Sequence, residues 1–298
     1  MVPVLDLSNI TKFYGPIQAL KNVSFSVPEG SVFGILGPNG SGKTTLLSII
    51  LDVLKANKGG FLWFGHPGSP EQRRKIGSLL ETPNFYHYLS AIDNLKVTQS
   101  ISGRGTRDDI DHVLKKVKLF ERRKSRFKSY SLGMKQRLAI AASLLGDPGV
   151  LVLDEPTNGL DPEGIAEIRE LIIELRNSGH TIIIASHLLD EVEKVCTHVA
   201  ILKTGTLITT GEVNEVLQDE DVVELSAPDL NKLADALRHF SNNIKVSDVF
   251  KTVELVLPKG TAKPEEINAF CFSSGITLSH LLLKKKRLEA RFFELTNN

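Results

Sequence analysis

Short apolar runs alternate with helical patterns over the first two thirds of the chain. Residues 32–37, 150–154 and 181–186 are almost entirely apolar, which predicts strands buried on both faces of a sheet. Residues 44–54 and 162–179 follow two of these runs and carry apolar side chains at helical spacing. Buried strands separated by helices are typical of a parallel sheet, so the sequence predicts an α/β domain.

The pattern changes twice along the chain. Residues 66–148 are mostly helical and polar, which indicates a helical insertion in the α/β domain. After the acidic stretch 218–221, the remaining residues form short strands around two helical stretches, a pattern typical of a small α+β domain. We therefore predict a first domain over residues 1–219 and a C-terminal accessory domain over 220–298.

Composition narrows the class of protein. The chain has 298 residues, of which 41% are hydrophobic, and this composition is typical of a globular protein. Its net charge is only +1, so no nucleic-acid partner is expected. Cys196 and Cys271 are too few for a disulfide framework or a four-ligand zinc site, and reduced thiols in a cytosolic setting are expected. The first residues show no secretory signal, and the longest apolar runs fall short of the ~20 residues that a membrane helix needs.

A glycine-rich segment, GPNGSGKT, lies between the first predicted strand and its helix. Its glycines allow successive backbone N–H groups to converge on an anion, and the helix N-terminus adds a partial positive charge. Lys43 is expected to reach the β- and γ-phosphates of a nucleotide, and Thr44 to place a hydroxyl at a Mg²⁺ ion. The candidate phosphate-binding residues are Gly37, Pro38, Asn39, Gly40, Ser41, Gly42, Lys43 and Thr44. This P-loop does not by itself choose among kinases, GTPases, motors and transport ATPases.

Two acids stand side by side at the end of the second buried strand. In VLVLDEPTNGLD these are Asp154 and Glu155. One acid can hold the Mg²⁺ shell and the other can polarise an attacking water. An acidic pair also occurs at solvated sheet edges, but a P-loop in the same chain favours the catalytic interpretation.

A third motif, YSLGMKQR at residues 130–137, precedes the acidic strand. Ser131 stands at the N-cap position of a predicted helix that ends near Gly146, so this loop is a second candidate anion-binding end. The pattern alone is equally consistent with a well-capped structural helix.

The ordered set of motifs resembles the ATP-binding cassette (ABC) family, the nucleotide-hydrolysing subunits of membrane transporters, over about residues 4–217. The resemblance implies a P-loop NTPase fold of the ABC type with a helical subdomain. It also implies roles for Tyr14 (adenine stacking), Lys43, Thr44 and Thr45 (phosphates and metal), Asp154 (metal), Glu155 (general base), Ser131 and Gly133 (phosphate from a partner cassette), Asp161 (cross-subunit contact) and His187 (γ-phosphate). Without the resemblance, Tyr14 would be an aromatic turn residue beside Gly15, and His187 a structural histidine.

The chain departs from the family pattern at two places. The signature usually reads Leu-Ser-Gly-Gly-Gln, whereas residues 130–134 read Tyr-Ser-Leu-Gly-Met. Glu81 stands where most of the family has a metal-contacting glutamine, and a carboxylate can also ligate Mg²⁺. With the closing RLEARFFELT, these variants resemble the subgroup that serves bacterial exporters of bacitracin and lantibiotics.

The resemblance implies ATP and Mg²⁺ as cofactors and a homodimer or paired cassette in which two ATP molecules are shared. It also implies a separate transmembrane permease that docks around Glu81–Asn94, and a cytoplasmic location at the inner face of the cell membrane. A cytosolic relative acting in DNA repair or translation remains an alternative, although such proteins normally show two cassettes or a long coiled-coil insertion. A nucleotide kinase would explain the P-loop but not the Ser131 motif or His187.

Overall fold

Fully buried strands form the centre of the first of two units in this chain. The structure is a computed structural model that describes residues 3–80, 84–217, 220–258, 260–284 and 292. Backbone contacts divide the chain into Met1–Val213 and Asn214–Asn298. The division falls a few residues before the predicted boundary at residue 219.

The first unit contains two sheets and the helices that connect their strands. Its strands are β1 (Leu5–Tyr14), β2 (Ile17–Val27), β3 (Val32–Leu36), β4 (Lys58–Trp63), β5 (His66–Pro67), β6 (Ile76–Leu79), β7 (Val150–Asp154), β8 (Thr181–Ser186), β9 (His198–Lys203) and β10 (Thr206–Glu212). Its helices are α1 (Lys43–Ile50), α2 (Pro70–Arg74), α3 (Ala91–Ser102), α4 (Arg107–Lys116), α5 (Leu132–Ser143), α6 (Pro162–Asn177) and α7 (Leu189–Val195), with 3-10 turns at Phe120–Arg122 and Phe127–Ser129. Helix α8 (Val213–Leu217) begins at the division.

The main sheet has the strand order β10-β9-β3-β8-β7-β6. Strands β9, β3, β8, β7 and β6 pair in parallel, and β10 pairs antiparallel with β9. Every residue of β3, β7 and β8 is buried, because helices cover both faces of the sheet. The predicted parallel α/β domain is thereby confirmed.

A second sheet, of order β2-β1-β4-β5, is antiparallel and was not anticipated from the sequence. The register of β1 shifts after Leu7, where Asn9 has φ 53°, so the alternation of apolar and polar residues is interrupted. Trp63 of β4 is fully buried in the core, and its Nε1 donates to the carbonyl of Ile50 at 2.7 Å.

The stretch predicted as a helical insertion, 66–148, is helical only in part. After the short helix α2, Ile76–Leu79 form β6 and pair with β7 in the main sheet, and the longer helices begin only at Ala91. A four-residue strand containing a glycine is too short to give a periodic signal. No helix in the described ranges has both the length and the apolar character needed to cross a membrane.

The second unit follows a β-α-β-β-α-β order. Its elements are β11 (Glu220–Ser226), α9 (Leu230–Leu237), β12 (Ile244–Ser247), β13 (Thr252–Pro258), α10 (Pro264–Ser273) and β14 (His280–Lys284). The antiparallel strand order β12-β13-β11-β14 is that of a ferredoxin-like fold. Leu225 and Leu255 pack with Leu233, Leu237 and Ile267 in its core. Of the closing RLEARFFELT, only Phe292 is among the described residues, and it is buried.

Candidate functional site

The loop between β3 and α1 is shaped by glycines. Gly42 has φ 103°, and a Cβ there would lie 2.7 Å from Leu20 Cδ2 and 2.9 Å from the carbonyl oxygen of Ala19. A Cβ at Gly37 would collide with the carbonyl oxygen of Leu202. Only glycine permits this backbone path, and α1 begins directly after it at Lys43.

Lys43 is the cation of this loop. Its side chain is 6% exposed, and its Nζ donates to the carbonyl of Gly37 at 2.8 Å. The same Nζ lies 3.5 Å from Glu155 Oε1. A buried ammonium needs such partners, since burial of an unpaired charge is costly. The Lys43 ammonium is therefore held inside the loop, next to an acid from another strand.

The two acids of the second motif contact different residues of the P-loop. Asp154 is the last residue of β7, and its Oδ2 accepts a hydrogen bond from Thr44 Oγ1 at 2.9 Å. Glu155 has φ 48°, a left-handed conformation that is strained for a residue with a side chain. Its backbone N–H donates to the carbonyl of Ala185 in β8 at 2.9 Å, and this hydrogen bond to the sheet keeps the strained backbone in place.

His187 completes the cluster from a third strand. It follows Ser186, the last residue of β8, and its Nδ1 lies 2.9 Å from Glu155 Oε2. Because β8 pairs with both β3 and β7, the carboxyl ends of these three parallel strands meet at one edge of the sheet. The structure thus brings Lys43, Glu155 and His187 together, although 112 residues separate the first two in sequence.

The donors at this edge fit a triphosphate with Mg²⁺. Ser41 Oγ is buried and has no hydrogen-bond partner among the described residues, and it stands in the same loop as the Lys43 ammonium. The hydroxyl of Thr44 and the carboxylate of Asp154 are hard oxygen donors of the kind that Mg²⁺ prefers. Pro38, Asn39 and Gly40 are exposed along the outside of the loop, and Thr45 follows in α1 as a half-buried residue. Glu81 lies outside the described residues.

Tyr14 lies at the tip of the β1–β2 hairpin. Its ring is 46% exposed, and Lys12 Nζ lies 5.4 Å from its centroid. Strand β2 runs from this tip toward the P-loop, where Ala19 approaches Gly42. The hairpin therefore presents an accessible aromatic ring on a strand that continues past the loop.

Ser131 and Asp161 have the contacts of helix caps. Ser131 Oγ accepts from the N–H of Met134 at 3.3 Å, and Asp161 Oδ1 accepts from the N–H of Gly164 at 2.9 Å. Both residues are exposed, and Gly133 has open space around its Cα. These two loops do not join the Lys43 cluster through any hydrogen bond or ion pair between described residues.

The structure also shows two supporting contacts that the sequence analysis missed. Arg169 of α6 donates to Glu191 of α7 at 3.0 Å and so ties together the helices that follow the acidic motif and His187. Burial by itself raises the pKa of Glu191, but hydrogen bonds from Lys194 and Arg169 outweigh it and keep that pKa below its ordinary value. The hydroxyl of the buried Tyr130 donates to the carbonyl of Arg122 at 2.7 Å. No periodic or motif signal marks either contact.

Comparison with known proteins decides the family. The ABC transporter family profile matches residues 20–158. A bacitracin transport ATP-binding protein, BcrA of Bacillus licheniformis, is 34% identical over 99% of this chain and 98% of its own length. The lantibiotic transport ATP-binding protein SrtF of Streptococcus pyogenes is 42% identical over 70% of this chain and 91% of its own.

The chain belongs to the ATP-binding subunits of ABC transporters. It is therefore an ATPase whose hydrolysis is coupled to transport, and the resemblance drawn from the motifs is confirmed. Among solved structures, the dimeric ATP-binding cassette MJ0796 bound to ADP and Pi is 29% identical with a TM-score of 0.62, and the match covers 70% of this chain and 98% of that one. That relative, an ATP-binding cassette in a post-hydrolysis state, is a dimer.

Proposed function

We propose that two copies of this ABC subunit, or this subunit and a paired cassette, enclose two Mg-ATP molecules and drive a separate membrane permease that exports its substrate. Each nucleotide site combines the P-loop of one cassette with the Ser131 loop of the other. The observation that carries the proposal is the cluster of Lys43, Glu155 and His187 at one sheet edge. The exposed Ser131 loop makes no hydrogen bond or ion pair with that cluster among the residues that the structure describes, which supports a site shared between two chains.

In this proposal the residues of the cluster have different tasks. Lys43 binds the β- and γ-phosphates, which are stronger partners for its ammonium than the Gly37 carbonyl that it now contacts. Glu155 then accepts a proton from the attacking water, while His187 holds its carboxylate and contacts the γ-phosphate. Thr44 and Asp154 would hold Mg²⁺, which would supply positive charge against the charge that develops on the phosphates. Tyr14 stacks on the adenine, and Asp161 lies at the contact between cassettes.

The permease is proposed to dock on residues 84–94. Tyr86 and Tyr88 of this segment are exposed, whereas Asn94 is buried and bonds the backbone of Tyr86 through both its Oδ1 and its Nδ2. The segment therefore offers aromatic side chains on a fixed backbone. Docking here places the subunit in the cytoplasm at the inner face of the cell membrane. The relative named for bacitracin transport supports the exporter assignment.

The test of this proposal is Glu155→Gln. The carboxamide keeps the shape of the side chain but cannot take a proton, so hydrolysis should fall by about 10²–10⁴-fold. ATP binding should persist, and the protein should elute as a dimer when Mg-ATP is present during size-exclusion chromatography. A monomer that hydrolyses ATP at the parent rate would refute both the role of Glu155 and the shared site.

Ser131→Arg is the matched variant for the shared site. The arginine enters the opposing cassette's nucleotide space, so hydrolysis by the dimer should fail while the isolated subunit still binds a fluorescent ATP analogue. Loss of binding by the isolated subunit would instead place Ser131 in its own chain's nucleotide site and contradict the arrangement.

A further inference from the structure

Positive charge is concentrated in one short stretch of the helical region. Residues 115–128 contain eight Lys or Arg side chains and a single acid, Glu121, so the stretch carries +7 while the rest of the chain sums to −6. The charge of helix α4 is also unevenly distributed, with Asp108 and Asp109 in its first turn and Lys115 and Lys116 in its last. A net charge of +1 therefore hides a strong local field.

Exposed cations without an ion pair between described residues stand close together in the second half of this stretch. Three of them, Lys124, Arg126 and Lys128, are here called the basic strip. Other cations of the stretch have internal partners. Lys118 pairs with Glu170 at 3.8 Å, and the Arg123 guanidinium lies 3.7 Å from the centroid of the Phe120 ring. The basic strip thus contributes positive charge that no acid among the described residues neutralises.

The basic strip is fixed to the segment with the exposed aromatic residues. The N–H of Phe127 donates to Leu89 at 2.9 Å, and the N–H of Lys128 donates to His87 at 3.1 Å. The Phe127 ring is buried beneath, with its centroid 5.2 Å from that of Phe85. This arrangement keeps the two exposed cations beside Phe127 on a rigid base.

The same segment carries a tyrosine pair, Tyr86 and Tyr88. Their side chains are 50% and 66% exposed, and their ring centroids lie 5.9 Å apart. Tyrosine is enriched at the headgroup level of membranes, because its ring is apolar and its hydroxyl is polar. The tyrosine pair therefore marks the segment that meets the membrane side, and the unpaired Lys and Arg beside it favour an anionic bilayer surface.

We propose that the basic strip contacts anionic lipid headgroups beside the permease, which covers the adjacent tyrosine pair when it docks. This inference rests on the proposed function, which places residues 84–94 at the membrane. A bilayer fits better than a nucleic acid, because a long polyanion would extend from the strip over the rest of the chain, whose net charge is −6. A layer of lipid headgroups can contact the basic strip without lying along the rest of the chain.

The experiment measures co-sedimentation of the full chain with vesicles. Equimolar phosphatidylglycerol and phosphatidylcholine vesicles should bind the protein, and pure phosphatidylcholine vesicles should not. Replacing Lys124, Arg126 and Lys128 together by Gln should weaken partitioning by on the order of a hundredfold, since each cation contributes ~1 kcal/mol. The matched control replaces three exposed lysines elsewhere, Lys21, Lys58 and Lys245, by Gln and should keep binding within severalfold of the parent chain.

Two further readouts make the result decisive. High salt should release the parent chain from anionic vesicles, because exposed charges are screened beyond about 3 Å at 1 M ionic strength. Binding of a fluorescent ATP analogue should be equal in all three proteins, which separates this surface from the nucleotide site. Equal affinity for both kinds of vesicle, or an equal loss in the control variant, would overturn the proposal. So would tight binding to an oligonucleotide without vesicle binding, or a basic-strip variant that loses only assembly with the permease.

Discussion

The two units of this chain bury apolar strands in different ways, and their chemistry differs accordingly. In the first unit, β3, β7 and β8 are buried along their whole length, so polar side chains can appear only where the strands end. In the second unit, the sheet covers its helices with one face and carries Glu224, Glu254 and Lys284 on the other. Its charged residues lie along the strands.

Strand direction explains why only the first unit forms a catalytic cluster. Parallel strands end at the same edge, so β3, β7 and β8 each deliver one residue to one place. Antiparallel strands of the second unit alternate in direction, and their cross-strand neighbours pair on the face instead. The Lys284 ammonium accordingly lies 2.5 Å from Glu224 and 2.8 Å from Glu254, an arrangement that already satisfies its charge.

The largest expected difference comes from removing one lysine from each cluster. Lys43→Ala should lower kcat/KM for ATP hydrolysis by about 10³-fold, because it removes a preorganised cation from the phosphate site. Lys284→Ala is the matched variant, since Lys284 also pairs with acids, and it should leave hydrolysis unchanged. Steady-state kinetics of both variants make the comparison. A comparable loss in Lys284→Ala would show that the second unit takes part in the site.

A cavity in the second core should have the next largest effect. Leu233 is fully buried in the second unit, so Leu233→Ala should lower that unit's free energy of unfolding by about 3 kcal/mol. Trp63 is the single tryptophan and all four tyrosines also lie in the first unit, so fluorescence reports on that unit alone. Circular dichroism should therefore reveal a shifted transition that Trp63 fluorescence does not follow. Leu47→Ala, in the first core, should shift the fluorescence transition.

If Leu233→Ala moves both transitions equally, the units unfold as one cooperative body. The two cores would then differ in their contacts but not in their stability.

The sequence predicts the buried strands best. Residues 150–154 and 181–186 were predicted as strands with the bounds that β7 and β8 have, because a fully apolar run can be satisfied only between two covered faces. The P-loop could be predicted equally well, since the local backbone path requires each of its glycines. Strand β1 was missed because the shift at Asn9 breaks its alternation of apolar and polar residues.

Contacts between residues that are far apart in the sequence could not be predicted from the local sequence pattern. The motifs named Lys43, Glu155 and His187, but the distances that join them depend on the strand order, with β8 between β3 and β7. The bond from Arg169 to Glu191 likewise arises from two helices that pack after folding. The residue-by-residue nucleotide contacts inferred from the family remain predictions that the variants above test.

The smallest expected effect concerns the charged face of the second unit. The hydrogen bond from Lys284 lowers the pKa of Glu224 against the opposing effect of its slight burial, and His280 adds to the lowering. Because the folded-state pKa lies below the unfolded value of about 4.3, this contribution to stability is complete above that pH and is lost as the pH falls through the folded-state pKa. The partners are partly exposed, so the contribution should be only about 0.5 kcal/mol.

Glu224→Gln isolates this contribution, because the amide fills the same space but does not titrate. The second unit of the parent chain should lose more stability than that of the variant between about pH 6 and pH 3. Amide hydrogen exchange of β11 and β13 measures the difference within the second unit, while β7 and β8 serve as an internal control that should respond equally in both proteins. Identical acid dependence of β11 in the two proteins would mean that the charged face organises side chains without stabilising the sheet. The second unit would then depend on its apolar core alone.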